Sequence, residues 1–325
     1  MTENSTDPAW VGTAPGKVIL FGEHAVVYGQ PAIAVPVAAV AACATVTRGA
    51  GESGVWLECA DLPAPDGCGT GCRYALRDAP VEDPLRYAVM LSLERFAITA
   101  EPDIVLTIRS SIPIARGMGS GAAVATAIVR ALAAYAGRTL TPGEVSSLVY
   151  EVEKLFHGTP SGIDNTVIAF ARPVYFERDR GMTALRVGAP FTLVIADSGV
   201  PSVTRDVVAS VRQRWQADPR RYEDLFAVIG EVSRAARVHI ENGNWRALGD
   251  LMNHNQTLLG QLDVSAPVLD NLISVARTAG ALGAKLSGAG RGGYILALAE
   301  PAANESVVRA LRAAGARQVM ITTVG

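Results

Sequence analysis

Between Ala25 and Thr47 the chain carries no charged residue. A stretch this long without charge has to be buried, either across a bilayer or inside a folded core. Its composition decides between the two. It is rich in alanine, which gives little drive for insertion into lipid, and Pro31 and Pro36 interrupt any single helix. The branched residues of PAIAVPVAAVAACATVTRG predict strands instead. The fold must therefore contain a sheet that buries this segment, and no membrane association is expected.

The remaining sequence is consistent with a large globular core. With 325 residues, 49% of them hydrophobic, a chain at roughly 100–200 residues per domain makes about two domains. A formal net charge of −2, from 29 basic and 31 acidic residues, excludes disorder as the main state and a nucleic-acid-binding surface over the whole molecule. It leaves room for one basic pocket holding a small anion. The four cysteines, Cys43, Cys59, Cys68 and Cys72, do not form a disulfide framework in a chain of this size. Their spacing offers no fourth ligand for zinc, so they read as free thiols. The N-terminus, MTENSTDPAW, lacks the basic and apolar regions of a signal peptide, and a cytoplasmic protein is expected.

Residues 11–47 read as strands around a glycine-bearing loop, and residues 51–80 as a hairpin or loop insertion. A helix is predicted from Pro84 to Ala97 and a strand over Asp103–Ser110. From Ser120, apolar residues recur at helical spacing directly after the turn Gly117-Met118-Gly119-Ser120-Gly121. Thr141-Pro142-Gly143-Glu144 is a capping box that starts the next helix, which Gly158 ends. A strand ending in a turn follows at 186–198, with a domain boundary just before it. Helices are expected at about 220–241, 244–260 and 266–281. Strand, glycine turn and strand then run through GAKLSGAGRGGYILALAE, before a last helix at about 302–314 and the strand QVMITTV. Without regular βαβ alternation the class is α+β rather than a doubly wound sheet.

The glycine turn at Gly117–Gly121 has a direct chemical reading. The first turn of a helix leaves N–H groups without intrahelical partners, and glycines let an anion approach them. The turn is neither a Walker loop nor a Rossmann fingerprint, and a glycine turn used only for close packing looks the same in isolation. Two acids follow: Glu153, near the end of the capped helix, and Asp164, in the loop HGTPSGIDN. A magnesium–nucleotide enzyme needs one carboxylate for the ion and one group for the proton of the attacking hydroxyl. A lone helix Glu is more often a solvated face, and a loop Asp a turn residue. Among the histidines, His157 lies near these acids, whereas His239 and His254 read as helix residues of structural use.

Four segments together resemble the GHMP kinase superfamily, and within it the mevalonate kinase branch: APGKVILFGEHAVVYGQPAIAVPV, PIARGMGSGAAVATA, EKLFHGTPSGIDN and KLSGAGRGG. They occur in family order over nearly the whole chain. The resemblance implies the GHMP kinase fold: an N-terminal domain like ribosomal protein S5 over 8–185, a C-terminal ferredoxin-like domain over 186–325, and an active site in the cleft between them. It implies ATP and Mg²⁺, mevalonate as substrate with the C5 hydroxyl as acceptor, and leaves a homodimer open.

By position in the motifs, Asp164 matches the catalytic base and Lys17 the lysine paired with it. Lys17, Glu23, His24, Asp164 and Thr204 fall at substrate positions. Pro113, Ala115, Arg116, Gly117, Met118, Gly119, Ser120, Gly121, Ala122, Ser161, Ser287, Gly288 and Gly290 fall around the nucleotide phosphates, and Glu153 matches the Mg²⁺ ligand. Two positions depart from the pattern. Gly121 stands where a serine commonly supplies a hydroxyl to Mg²⁺, so either water or the neighbouring Ser120 has to replace it. Arg291 stands where glycine is common, either adding charge beside the phosphates or pointing to solvent. Another GHMP small-molecule kinase, acting on phosphomevalonate or a different mevalonate hydroxyl, and a non-catalytic kinase-like binding protein are the competing readings.

Overall fold

In the computed structural model, residues 8–49, 51, 53–63, 70–98, 102–114, 116–157, 160–177 and 181–325 are described. Three residues with a role expected from the sequence, Ala115, Gly158 and Cys68, lie outside them. The chain divides into two compact units that interleave along the sequence. The first comprises Met1–Gly16, Val40–Pro113 and Gly119–Ala171, and the second Lys17–Ala39, Ile114–Met118 and Arg172–Gly325.

The uncharged run folds as the sequence demands. Strand β1 (Trp10–Phe21) leads through a short 3₁₀ turn at Ala25–Tyr28 into β2 (Ala32–Arg48), whose apolar residues Ile33, Val35 and Val37 are fully buried. β3 (Val55–Pro63) and β4 (Thr70–Ala75) form the expected hairpin, in which Cys59 lies directly opposite Cys72. Helix α1 (Pro84–Arg95) is capped by Asp83, whose carboxylate accepts from the Leu85 and Arg86 amides. It leads to β5 (Ile104–Ser110). In the first unit the strands lie in the order β4-β3-β5-β2, with β3 parallel to β5 and β5 antiparallel to β2.

Three helices complete that unit. They are α2 (Ser120–Tyr135), α3 (Pro142–His157) and α4 (Ile163–Phe170). Helix α2 is buried on nearly every side, which its alanine-rich sequence allows. The capping box of α3 closes reciprocally: Glu144 accepts from the Thr141 amide at 2.9 Å, and the Glu144 amide donates to the Thr141 hydroxyl at 3.3 Å. Helix α4 was not expected. Its sequence, IDNTVIAF, is short and enters from a left-handed Gly162 at φ 82°, so it reads as part of the glycine-bearing loop.

In the second unit β6 (Val174–Glu177) pairs with the start of β2 and with β7 (Gly181–Ala184). β8 (Phe191–Asp197) is followed by α5 (Thr204–Ala217), α6 (Pro219–Asn242), α7 (Trp245–Gln261) and α8 (Pro267–Thr278). Then come β9 (Gly283–Ser287), β10 (Tyr294–Ala299), α9 (Asn304–Ala313) and β11 (Gln318–Val324). The four strands form an antiparallel sheet in the order β11-β8-β10-β9. That order is the ferredoxin-like arrangement. Helix α5 escaped the sequence reading because its polar sequence buries only Val207 and Val211.

One helix–strand contact in this unit is made backbone to backbone. Gly249 lies inside α7, where glycine costs about 1 kcal/mol relative to alanine. A Cβ there would overlap the Leu282 carbonyl, and a Cβ on Gly283 would overlap the Gly249 carbonyl oxygen. The two glycines let α7 lie directly on β9. Among the described residues no helix is long and apolar enough to cross a membrane.

Candidate active site

The first unit holds the two acids and, from Gly119 onward, the start of α2. Gly117 and Gly119 hold left-handed backbone at φ 82° and 70°, so the chain turns sharply into α2. Gly119 is the N-cap and, with no side chain, gives no cap hydrogen bond to the first-turn N–H groups of α2. Ser120 is the first residue of α2, half-buried, with the exposed Gly121 and buried Ala122 after it. Glu153 is a carboxylate on α3 only 4% exposed.

Asp164 belongs to the first turn of α4, not to a loop. A negative charge is stabilised there by the helix dipole. Its placement is fixed by the next two residues. Asn165 donates from Nδ2 to the Ser146 carbonyl at 3.0 Å and hydroxyl at 2.9 Å, and the Ser146 and Thr166 hydroxyls meet at 3.1 Å. This buried polar latch holds α4 to α3. The exposed Ser161 hydroxyl accepts from the Ile163 amide, shaping the turn before α4.

The second unit holds most of the remaining candidates. Lys17 lies on β1, 6% exposed, and its amide donates to the Met118 carbonyl at 3.0 Å, tying the strand to the turn before α2. Arg116 donates from one guanidinium nitrogen to both oxygens of Asp197, at 2.7 and 2.9 Å. Its charge is thus engaged at the end of β8. Thr204 is exposed at the first residue of α5. Ser287 donates to the Ile19 carbonyl at 2.8 Å, and Gly288 and Gly290 keep left-handed backbone in the turn after it. Arg291 is held by protein partners. At φ 57°, its guanidinium bonds the Asp263 carbonyl and the Ser210 hydroxyl.

His24 is 7% exposed and itself left-handed at φ 60°. Its Nε2 lies 2.9 Å from the Ala289 carbonyl oxygen. A carbonyl only accepts, so Nε2 carries the proton and Nδ1 of the neutral ring is an acceptor. Burial lowers the His24 pKa below its ordinary 6.5, against the opposing hydrogen bond to Ala289, and Arg291 lowers it further. The sign follows by linkage: the folded state binds the proton less readily than the unfolded one, so this contribution to stability is present above pH 6.5 and lost as pH falls through the lowered value. Urea unfolding on either side of pH 6.5 is therefore expected to show a loss of stability on the acid side that shrinks in His24→Gln. An equal acid loss in both proteins would assign it to other groups.

Glu23 is buried at 3% exposure, and the sequence assigned it no partner. Lys285 on β9 forms an ion pair with its Oε1, and Asn255 on α7 donates to its Oε2 at 3.2 Å. Lys285 opens the third glycine segment, KLSGAGRGG, but nothing local in a lysine or a helix asparagine marks either as a buried partner. Asp197 was missed for the same reason.

The family models described as GHMP kinases N terminal domain and GHMP kinases C terminal match residues 85–172 and 236–317. Mevalonate kinase from Pyrococcus horikoshii is 37% identical over 319 residues, covering 94% of this chain and 92% of the relative. That from Thermococcus sibiricus is 35% identical over 326 residues, 95% of each chain. Among solved structures, L. major mevalonate kinase in complex with R-mevalonate superposes with a TM-score of 0.83 at 30% identity, covering 98% of this chain and 96% of that one. Membership in this family includes the use of ATP as phosphoryl donor. With such identity over nearly the whole length and both family models matched, the chain belongs to the GHMP kinases and, within them, to the mevalonate kinase family.

Proposed function

We propose that the chain transfers the γ-phosphoryl group of ATP to the C5 hydroxyl of mevalonate. The observation that carries this reading is the likeness, over 98% of the chain, to a mevalonate kinase that holds R-mevalonate. In the proposed step the C5 oxygen forms a bond to the γ-phosphorus and the bond from that phosphorus to the β,γ-bridging oxygen breaks. ADP leaves, and the hydroxyl proton goes to the Asp164 carboxylate. Lys17 supplies positive charge toward the base and the transferring group. The open N–H groups at the start of α2 receive phosphate oxygens, where a helix N-terminus favours an anion. His24 offers Nδ1 to a substrate hydroxyl, and Thr204 and Ser161 are proposed as hydroxyl partners near the phosphates.

The residues present fit Mg²⁺. Glu153 offers a hard oxygen donor on α3. That donor suits an ion that takes one or two carboxylates and completes its shell with phosphate oxygens and water. Bound there, Mg²⁺ supplies charge neutralisation on the phosphates. Ser120 is the hydroxyl closest in sequence to Gly121, and water is the proposed replacement for the missing serine, since Mg²⁺ dehydrates reluctantly. The division into domains at 185/186 belongs to the same reading: it falls between the two family matches, which end at 172 and begin at 236. So does self-association as a homodimer, which sedimentation of the purified protein reads directly.

Purified protein with ATP, Mg²⁺ and mevalonate is expected to give 5-phosphomevalonate, identified by phosphorus and proton NMR. Phosphomevalonate is expected to be a far poorer acceptor by kcat/KM. Phosphorylation at another hydroxyl, or a preference for phosphomevalonate, overturns the assignment.

A further inference from the structure

Among the described residues, the most completely buried ionic group of the second unit is the pair of Lys285 and Glu23, whose side chains are 0% and 1% exposed. Taking two charges out of water costs more than an ordinary ion pair returns, unless every remaining donor and acceptor is satisfied. Here much of that condition is met. Lys285 donates to Glu23 Oε1 and, at 2.6 Å, to the Leu286 carbonyl. Glu23 Oε2 accepts from Asn255. Asn255 is fully buried on α7, and the next residue, Gln256, accepts from the Leu286 amide at 2.9 Å. Helix α7 thus grips both the carboxylate and the strand that carries the lysine.

With both oxygens held by donors of the protein, Glu23 is poorly placed to act as a base or to reach an ion. Its surroundings suggest a different task. The residue after it, His24, has left-handed backbone, a conformation that needs support in a non-glycine residue. Support comes from both sides. The Ala25 amide donates to the Glu23 carbonyl at 2.7 Å and the Val26 amide to the Gly22 carbonyl at 3.1 Å. Farther along, Tyr28 stacks on Phe226 of α6 with ring centroids 4.0 Å apart. The Glu23 carboxylate anchors the near end of this turn. The turn is also joined twice to the third glycine segment, through Glu23 to Lys285 and through His24 to Ala289.

We infer that Lys285 and Asn255 are positioning residues for substrate affinity: they clamp Glu23, and the clamped Glu23 holds His24 in the geometry that binds the acceptor. The inference rests on the reading that this pocket takes mevalonate. It assigns Glu23 an indirect role and gives the lysine before the glycine turn a function in acceptor binding rather than phosphate binding.

The test uses two variants of the full chain. Removing one charge alone leaves the other buried without a partner, which is strongly destabilising. The double variant Glu23→Gln with Lys285→Met removes both charges together and avoids that penalty. Asn255→Ala removes only the second donor and leaves the ion pair in place. The expected result is a split between the two substrates. KM for mevalonate rises about 10- to 100-fold in the double variant and about 3- to 10-fold in Asn255→Ala, while KM for ATP changes by less than about threefold. In addition, the His24 ring resonances followed by NMR titrate closer to an ordinary histidine as the turn loosens. Parental KM for mevalonate in either folded variant overturns the proposal, as does an equal rise for both substrates, which would mark a general structural defect. A parent protein that phosphorylates no mevalonate fails the functional reading first, so the two failures are distinguishable.

Discussion

Asp164→Asn is expected to fold as the parent does and to lose about 10²- to 10⁴-fold in kcat, the usual worth of a general base. The change keeps the size of the side chain and removes its ability to take a proton. The latch that fixes α4 to α3 runs through Asn165, Ser146 and Thr166 and is untouched by the change. The thermal transition should stay within a few degrees of the parent, and KM for both substrates should change little, because the lost interaction develops in the transition state. The measurement is steady-state turnover beside circular dichroism melting. Near-parental turnover by a folded Asp164→Asn protein would remove this residue from the mechanism.

The second large effect is expected at Glu153. Glu153→Gln preserves shape at a position 4% exposed and deletes the charge. If this carboxylate holds the ion, the Mg²⁺ concentration for half-maximal rate should rise by about 10- to 100-fold, and kcat at saturating metal should fall, with mevalonate binding unaltered. Mn²⁺, which accepts a similar oxygen shell, should restore part of the rate. An unchanged metal titration would place the ion on other ligands. Read together, the two variants separate proton transfer from charge neutralisation: one lowers turnover at every metal concentration, the other moves the metal dependence.

How much of this was visible in the sequence follows from the range of each signal. The long buried strand β2, the capping box of α3 and the glycine turn before α2 rest on local chemistry, so pattern alone marked them. The short helix α4 was hidden because its entrance, a left-handed glycine, is also the signature of a turn. That error mattered, since it put Asp164 in a loop rather than at a helix N-terminus. Helix α5 was hidden for the opposite reason: it is largely solvated, and two buried valines make too faint a stripe. The partners of the site residues were the least legible. Arg116 with Asp197, Glu23 with Lys285 and Asn255, and Arg291 with Asp263 join residues far apart in the chain, and only the fold brings them together. Motif position could name Glu23; it could not say that its charge is neutralised inside the protein.

The contact of α7 on β9 through Gly249 and Gly283 has a consequence for how this enzyme can vary. Each Cβ would meet backbone, which cannot rotate away, so neither position can accept even alanine without moving an element. Changing both at once only compounds the overlap, and no compensating partner exists. The displaced elements would be those carrying Asn255 and Lys285, so the damage would reach acceptor binding before the fold is lost. In a randomised library selected for growth on an exogenous supply of the acceptor, both codons should stay fixed as glycine. Exposed neighbours on the same helix, such as Asp250 and Arg246, should drift freely.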